Sequence, residues 1–185
     1  METVIKRAAD TDQPAAGFVQ VYTGDGKGKT TAALGLAMRC VGSGGNVYIG
    51  QFIKQHEYCE VLTVRQRFPE ITLEQYGRGC FITNAPSAED IELAHNGLDK
   101  LRQALLSENY RLVIADEINV AAELGLLQTA DLLELCRCRP AGVELVMTGR
   151  NAPPELINSA DLVSEIREIK HYYSAGVTAR KGIEC

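Results

Sequence analysis

Residues 17–41 read GFVQVYTGDGKGKTTAALGLAMRCV, and their reading decides the fold. An apolar, β-prone run over 17–23 enters the loop Gly24-Asp25-Gly26-Lys27-Gly28, after which a helix is expected from 29 to 41. Against the phosphate-binding pattern GxxxxGK[ST], Gly28, Lys29 and Thr30 match, while Thr23 stands where the leading glycine belongs and Gly24 follows one step later. The context restores the inference. Glycines at 24, 26 and 28 let backbone amides converge on an anion at the positive end of the helix that begins there. In that setting Lys29 is the point charge on a polyphosphate, Thr30 Oγ joins a Mg²⁺ shell, and Thr31 contacts phosphate. The plain alternative is a glycine-rich strand-to-helix turn with solvated Lys27 and Lys29. A dinucleotide fingerprint fits less well, because GDGKGK lacks its close-packing spacing.

Working outward, further β-prone runs fall at 46–52, 71–76, 112–115, 144–148 and 162–166, with helical stretches expected near 59–68, 89–106, 129–138 and 155–159. The longest of these shows its period: Ile91, Ala94, Leu98, Leu101 and Leu105 recur at threes and fours, the stripe a helix needs to cover a sheet. Strand and helix alternating at this spacing imply βαβ units. The fold class is therefore α/β, a P-loop nucleotide-binding fold with a largely parallel central sheet covered by helices. One domain is expected over 16–185, preceded by a flexible segment over 1–15; the tail from 170 onward has no period and reads as an extended wrap over a neighbouring surface.

The run Leu112-Val113-Ile114-Ala115 followed by Asp116-Glu117 places two carboxylates at the carboxyl end of a buried strand, where open α/β sheets bind ligand. Beside a polyphosphate two adjacent acids need a metal or protons to relieve their repulsion, so Asp116, Glu117 and Thr30 are the candidate ligands of Mg²⁺ or Mn²⁺. Arg150 follows the 144–148 strand and can reach the phosphates; Arg39, late in the first helix, is open between a ligand contact and a dipole-facing role. Lys54 and His171 read equally well as solvent-facing structural residues.

Composition bounds the function. The chain has 185 residues, Lys plus Arg 19 against Asp plus Glu 24, and a net charge of -5, a poor general attractant for nucleic acid or anionic membrane. The six cysteines form no paired CxxC knuckles, so reduced thiols in a cytoplasmic protein are expected rather than a structural zinc site. No apolar stretch reaches the 18 residues of a membrane span, and the charged first 16 residues do not form a signal peptide.

The chain resembles the ATP:corrinoid adenosyltransferases of the cobalamin pathway. The resemblance rests on YTGDGKGKTTAALGLAMRCVGSG (22–44), QFIK (51–54), YGRGCF (76–81), LVIADEINVA (112–121), RPAG (139–142), VMTGR (146–150) and the terminal DLVSEIREIKHYYSAGVTARKGIEC (161–185). It implies transfer of the 5'-deoxyadenosyl group of ATP to Co(I) of cobalamin or cobyrinic acid a,c-diamide, with release of intact triphosphate. Lys29 and Glu117 are then the expected catalytic residues, and Gly24 through Thr31, with Arg39 and Arg150, the expected ATP contacts. The resemblance also implies a homodimer and a separate reductant that supplies the Co(I) electrons. It places the corrinoid at Gly79, Cys80, Phe81 and Ile82, where related enzymes use aromatic side chains to displace the lower axial ligand. Here Cys80 and Ile82 stand at positions those enzymes fill with aromatic residues, leaving Phe81 as the expected aromatic contact. A P-loop ATPase or nucleoside kinase, and a non-catalytic ATP-dependent corrinoid carrier, are the competing readings.

Overall fold

The structure is a computed structural model, described here for residues 16–79 and 85–184. Six strands form one sheet: β1 (Val19–Thr23), β2 (Val47–Phe52), β3 (Ile71–Tyr76), β4 (Leu112–Asp116), β5 (Glu144–Thr148) and β6 (Leu162–Glu165). Their order is β3-β2-β4-β5-β1-β6, and every pairing is parallel. All residues of β2 and β4 are buried, as a central parallel strand covered on both faces requires.

Six α-helices connect them: α1 (Lys29–Gly42), α2 (Cys59–Arg67), α3 (Ala88–Ser107), α4 (Ile118–Glu123), α5 (Thr129–Cys138) and α6 (Pro154–Ser159). On one face Ala33 and Ala37 of α1 and Val61 and Val64 of α2 pack on Ile49, Ile114 and Val146. On the other, the α3 stripe Ala94, Leu98, Leu101 and Leu105 joins Leu132 and Leu135 of α5 and Leu156 of α6 over Val113, Leu145 and Met147. Ile91, the first residue of the expected stripe, is instead exposed, because it lies in the opening turn of α3.

The elements sit where the sequence places them, with informative differences. β1 begins at Val19 rather than residue 17, and Gly17 lies so close to Val143 that a side chain there would meet its carbonyl at 2.2 Å. The six-residue α4 has no counterpart in the sequence reading. It follows the Asp116-Glu117 turn directly, and its length is below that at which a hydrophobic period shows. The tail is not a plain extended wrap: it forms a 3₁₀ turn over Tyr172–Ala175, and Arg180 pairs with Glu184, which also accepts from the Tyr172 hydroxyl. Among the described residues Cys136 is half-buried in α5, and burial pushes its thiol up to about 11, the setting of an unreactive cysteine.

Because the strands are parallel, Thr23, Phe52, Tyr76, Asp116 and Thr148 all end on one edge of the sheet, and the loops that follow them face one another. Among the described residues no helix is long and apolar enough to cross a membrane.

Candidate active site

The site is built on the strand order: β5 lies between β1 and β4, so the glycine loop after β1 and the acidic turn after β4 flank a common strand. Its last residue, Thr148, is fully buried, and the two sides meet at Asp116 Oδ1. Thr148 Oγ1 donates to Asp116 Oδ1 at 2.7 Å and accepts the Glu117 amide at 3.0 Å. Thr30 Oγ1, in the first turn of α1, donates to the same Oδ1 at 2.9 Å.

The loop glycines carry a constraint beyond anion binding. A side chain at Gly24 or Gly26 would collide with the Ile166–Arg167 backbone, at 2.4 Å and 2.8 Å, and Gly26 donates its amide to the Ile166 carbonyl at 2.8 Å. The segment after β6 is thus laid against the loop. Lys29 is buried, and its ammonium donates to the carbonyls of Gly24 at 2.6 Å and Gly26 at 2.9 Å, drawing the loop around it. Burial, reinforced by Arg150, holds its pKa below the ordinary lysine value.

Lys54, two residues past β2, is a site residue that sequence reading did not select. Its Nζ donates to Asp116 Oδ2 at 2.8 Å and to Thr30 Oγ1 at 3.3 Å, and lies 3.9 Å from Glu117 Oε1. The strand register explains how it arrives: Gln51 is opposite Asp116, and the chain turns at Ile53, which has φ 68, so that Lys54 doubles back over the strand end. The Gln51 side chain donates to Asp116 Oδ2 at 3.1 Å. A lysine shortly after a buried strand was the available signal, but only the register shows which way it points.

These contacts set opposite electrostatics for two neighbouring acids. Burial alone would raise Asp116, yet the Lys54 charge and the hydrogen bonds from Lys54, Thr148 and Thr30 hold it below the usual carboxylate range. Glu117 is raised, first by burial and then by the Asp116 charge beside it. It occupies the left-handed region at φ 63, the sharp turn that lets α4 start immediately after β4. Lys54 itself is held above the ordinary lysine value: burial pulls it down, but Asp116 and Glu117 together outweigh that.

A cavity of about 1030 Å³ opens over this edge. Asp25 through Thr31, Lys54, Glu117 and Arg150 line one part, so the structure brings these predicted residues together. Arg150 reaches the loop through a long contact, 3.4 Å, to the Asp25 carbonyl. Asp116 lies beneath the cavity floor rather than in its wall. Arg39 is not brought in; it is exposed in the last turn of α1, ten residues and roughly 15 Å along the axis from Lys29. Gly79 lies in the cavity wall beside His56 and Tyr58, whose rings meet edge to face. Cys80, Phe81 and Ile82 fall outside the described residues, as does the segment 1–15. Part of the wall comes from the tail, with His171, Ile183 and Glu184, and Lys27 donates to the Ile183 carbonyl at 3.1 Å. His171, read from sequence as no better than a surface residue, is therefore a cavity residue.

Among the described residues no cluster of three or more His, Cys, Asp or Glu side chains could hold a metal by itself. A carboxylate offers about four acceptor positions, and those of Asp116 meet Thr30, Thr148, Gln51 and Lys54. Of the adjacent Asp116–Glu117 pair, Glu117 is the one that lines the cavity, so the site suits an ion that brings most of its ligands with a polyphosphate.

Comparison with known proteins shows the family and the fold. The protein-family model described as "ATP:corrinoid adenosyltransferase BtuR/CobO/CobP" matches residues 15–185. The chain is 35% identical over 169 residues to a corrinoid adenosyltransferase of Pseudomonas aeruginosa, covering 91% of this chain and 83% of that protein. It is 32% identical over 184 residues to a corrinoid adenosyltransferase of Escherichia coli K12, covering 99% and 92%. Among solved structures, a KaiC-like protein of Pyrococcus horikoshii shares the fold, with a TM-score of 0.54, 18% identity and coverage of 84% of this chain and 75% of that one.

Proposed function

Since the chain belongs to the ATP:corrinoid adenosyltransferase family and transfers the adenosyl group of ATP to a corrinoid, we propose that the glycine loop holds the triphosphate as a leaving group, with C5' presented toward the part of the cavity beside Gly79. The observation that carries this reading is the shared floor of the cavity. Thr30 of the loop and Asp116 of the β4 end are hydrogen-bonded at 2.9 Å beneath a volume of about 1030 Å³, at the upper end for a small-molecule site and extending well past the loop.

The electron pair of Co(I) forms the bond to C5', the C5'–O bond breaks, and its pair departs on the triphosphate, leaving cobalt formally Co(III). Charge therefore grows on the polyphosphate, and groups that meet it there lower the barrier. Lys29, released from the Gly24 and Gly26 carbonyls, is placed to receive that charge, and Arg150 and Lys27 flank it. A divalent cation, Mg²⁺ or Mn²⁺, would supply further neutralisation when bound, held at Glu117 and Thr30 together with the phosphates. His56, Tyr58 and Gly79 form the corrin side, with Phe81 assigned as the aromatic contact by the resemblance alone.

The reductant that delivers Co(I) is assigned to a separate partner, and the domain to residues 16–185. A homodimer is favoured by the edge strand β6, whose four residues are all exposed, with Leu162 at 44% and Val163 at 40%. An anaerobic assay with reduced cobalamin, ATP and Mg²⁺, following cobalt spectra and phosphate products together, tests the activity. Formation of a cobalt–carbon bond with intact triphosphate is expected. ADP without that bond would identify a kinase or ATPase, and binding of both ligands without transfer a carrier.

A further inference from the structure

Asp116 occupies the position from which an acid at the end of a buried strand approaches the metal of a bound nucleotide, yet its surroundings are those of a counter-ion. It is 1% exposed and receives four hydrogen bonds, two on each oxygen: Thr30 and Thr148 on Oδ1, Gln51 and Lys54 on Oδ2. The Lys54 ammonium also lies 3.3 Å from Thr30 Oγ1 and 3.9 Å from Glu117 Oε1. It thus touches or adjoins all three groups that would otherwise converge on a divalent ion.

We infer that Lys54 is a resident cation of the site, one that takes Asp116 out of the metal's ligand set and leaves the divalent ion to enter and depart with the triphosphate. This inference deepens the reading of the loop as a triphosphate site. Two cations cannot share one carboxylate whose acceptor positions are filled, and the ammonium is tethered while the ion is not. Asp116 is then a positioning residue that aligns Thr30 and Lys54, and Glu117 is the one carboxylate of the pair open to a metal. A fixed charge at Lys54 neutralises the acidic turn before any ligand arrives, so the chain without nucleotide has little hold on a divalent ion.

The test needs neither ATP nor corrinoid. Mn²⁺ binding is measured on the full chain by electron paramagnetic resonance of free Mn²⁺, and thermal unfolding is followed with and without Mn²⁺. The parent chain, Lys54→Arg, Lys54→Met and the double variant Lys54→Met with Asp116→Asn are compared. Lys54→Met frees Asp116 beside Glu117 and should tighten Mn²⁺ binding by about 10- to 100-fold, the span over which outer-shell partners move metal affinity. Its melting temperature should rise with Mn²⁺, because a ligand of the folded state alone stabilises it. Lys54→Arg keeps the charge and should behave as the parent; the double variant should lose the gain.

If Lys54→Met folds only when Mn²⁺ is present, the inference stands, since the metal then replaces the missing cation. Lys54→Met that folds without gaining affinity, or that Mn²⁺ cannot rescue, overturns it. So does a parent chain whose Mn²⁺ binding Asp116→Asn weakens. A parallel titration with inorganic triphosphate separates the two readings: failure of Mn²⁺-triphosphate to bind the parent would sink the triphosphate site, whereas the apoprotein comparison concerns Lys54 alone.

Discussion

Lys29 and Glu117 carry the proposed chemistry from different electrostatic starting points. Lys29→Ala removes the charge that meets the leaving group, and the two contacts it also loses, to carbonyls at 2.6 and 2.9 Å, lie within the glycine loop and outside the core, so its loss falls mainly on turnover. Transfer at saturating ATP is expected to drop about 100-fold or more, as for removal of one preorganised donor to a developing anion, with circular dichroism and the melting temperature little changed. Near-parental turnover in a folded variant would remove Lys29 from the mechanism. Glu117 is held above its ordinary value of 4.5 by burial and by Asp116. A carboxyl raised on folding contributes its full stability below the unfolded pKa and loses it as pH rises through the folded value. At pH 7 Glu117 is therefore a net burden on the fold, tolerated for function. Glu117→Gln should lower metal-supported turnover while raising stability by about 0.5–2 kcal/mol; urea unfolding at pH 7 and pH 4 checks it, and the gain should shrink at the lower pH.

At the scale of elements, α3 shows how local signals and packing combine. Its start is a capping box: Ser87 accepts from the Asp90 amide at 3.2 Å, and Asp90 Oδ2 accepts from the Ser87 amide at 2.9 Å. Arg78, arriving from beyond β3, grips both Asp90 oxygens at 2.7 Å and, with Ser87, holds that carboxyl well below its usual range. Stability from a depressed carboxyl is present above the unfolded value, 3.8 here, and is lost as pH falls through the folded one. Asp90→Asn should cost about 1 kcal/mol at pH 7, with the deficit closing below pH 4 in denaturant titrations. Further along, Gly97 faces the Tyr76 ring, and a side chain there would stand 2.6 Å from its Cγ. Tyr76 cannot swing aside, because its hydroxyl is bonded to Glu74 and Tyr48. Helix propensity favours Gly97→Ala by about 1 kcal/mol, whereas overpacking costs about 1–3 kcal/mol. A lower urea midpoint is expected, and a higher one would mean that α3 can slide outward.

Over the whole molecule, the phosphate loop is tied to the far end of the chain. Gly26 spends its amide on Ile166, Lys27 reaches Ile183, and His171 and Glu184 wall the same cavity. Ligand at the loop should therefore be felt over 166–184 as well as over 24–31. Inorganic triphosphate at 100 times its dissociation constant should add about 2.7 kcal/mol, which for a chain of this size raises the melting temperature by roughly 5–10 °C. Hydrogen exchange should slow in both segments. Protection confined to 24–31 would show that the tail is a passive neighbour.

The sequence by itself determined the alternation of strands and helices, the phosphate loop and the acidic turn, because each is a local pattern: apolar period, glycine spacing, and charge following a buried run. It also carried the family, through motifs spread over 22–185. It did not reveal α4, which is too short to show a period and lacks the proline that marks the start of the equally short α6, or the folding of the tail onto the loop. Nor did it separate Lys54 from a surface lysine. That residue's role depends on β2 pairing with β4 in a register that sets Gln51 against Asp116, and on a left-handed turn at Ile53. Pairing between residues 65 apart in the chain leaves no local mark, so only the tertiary structure could bring Lys54 to within 2.8 Å of Asp116.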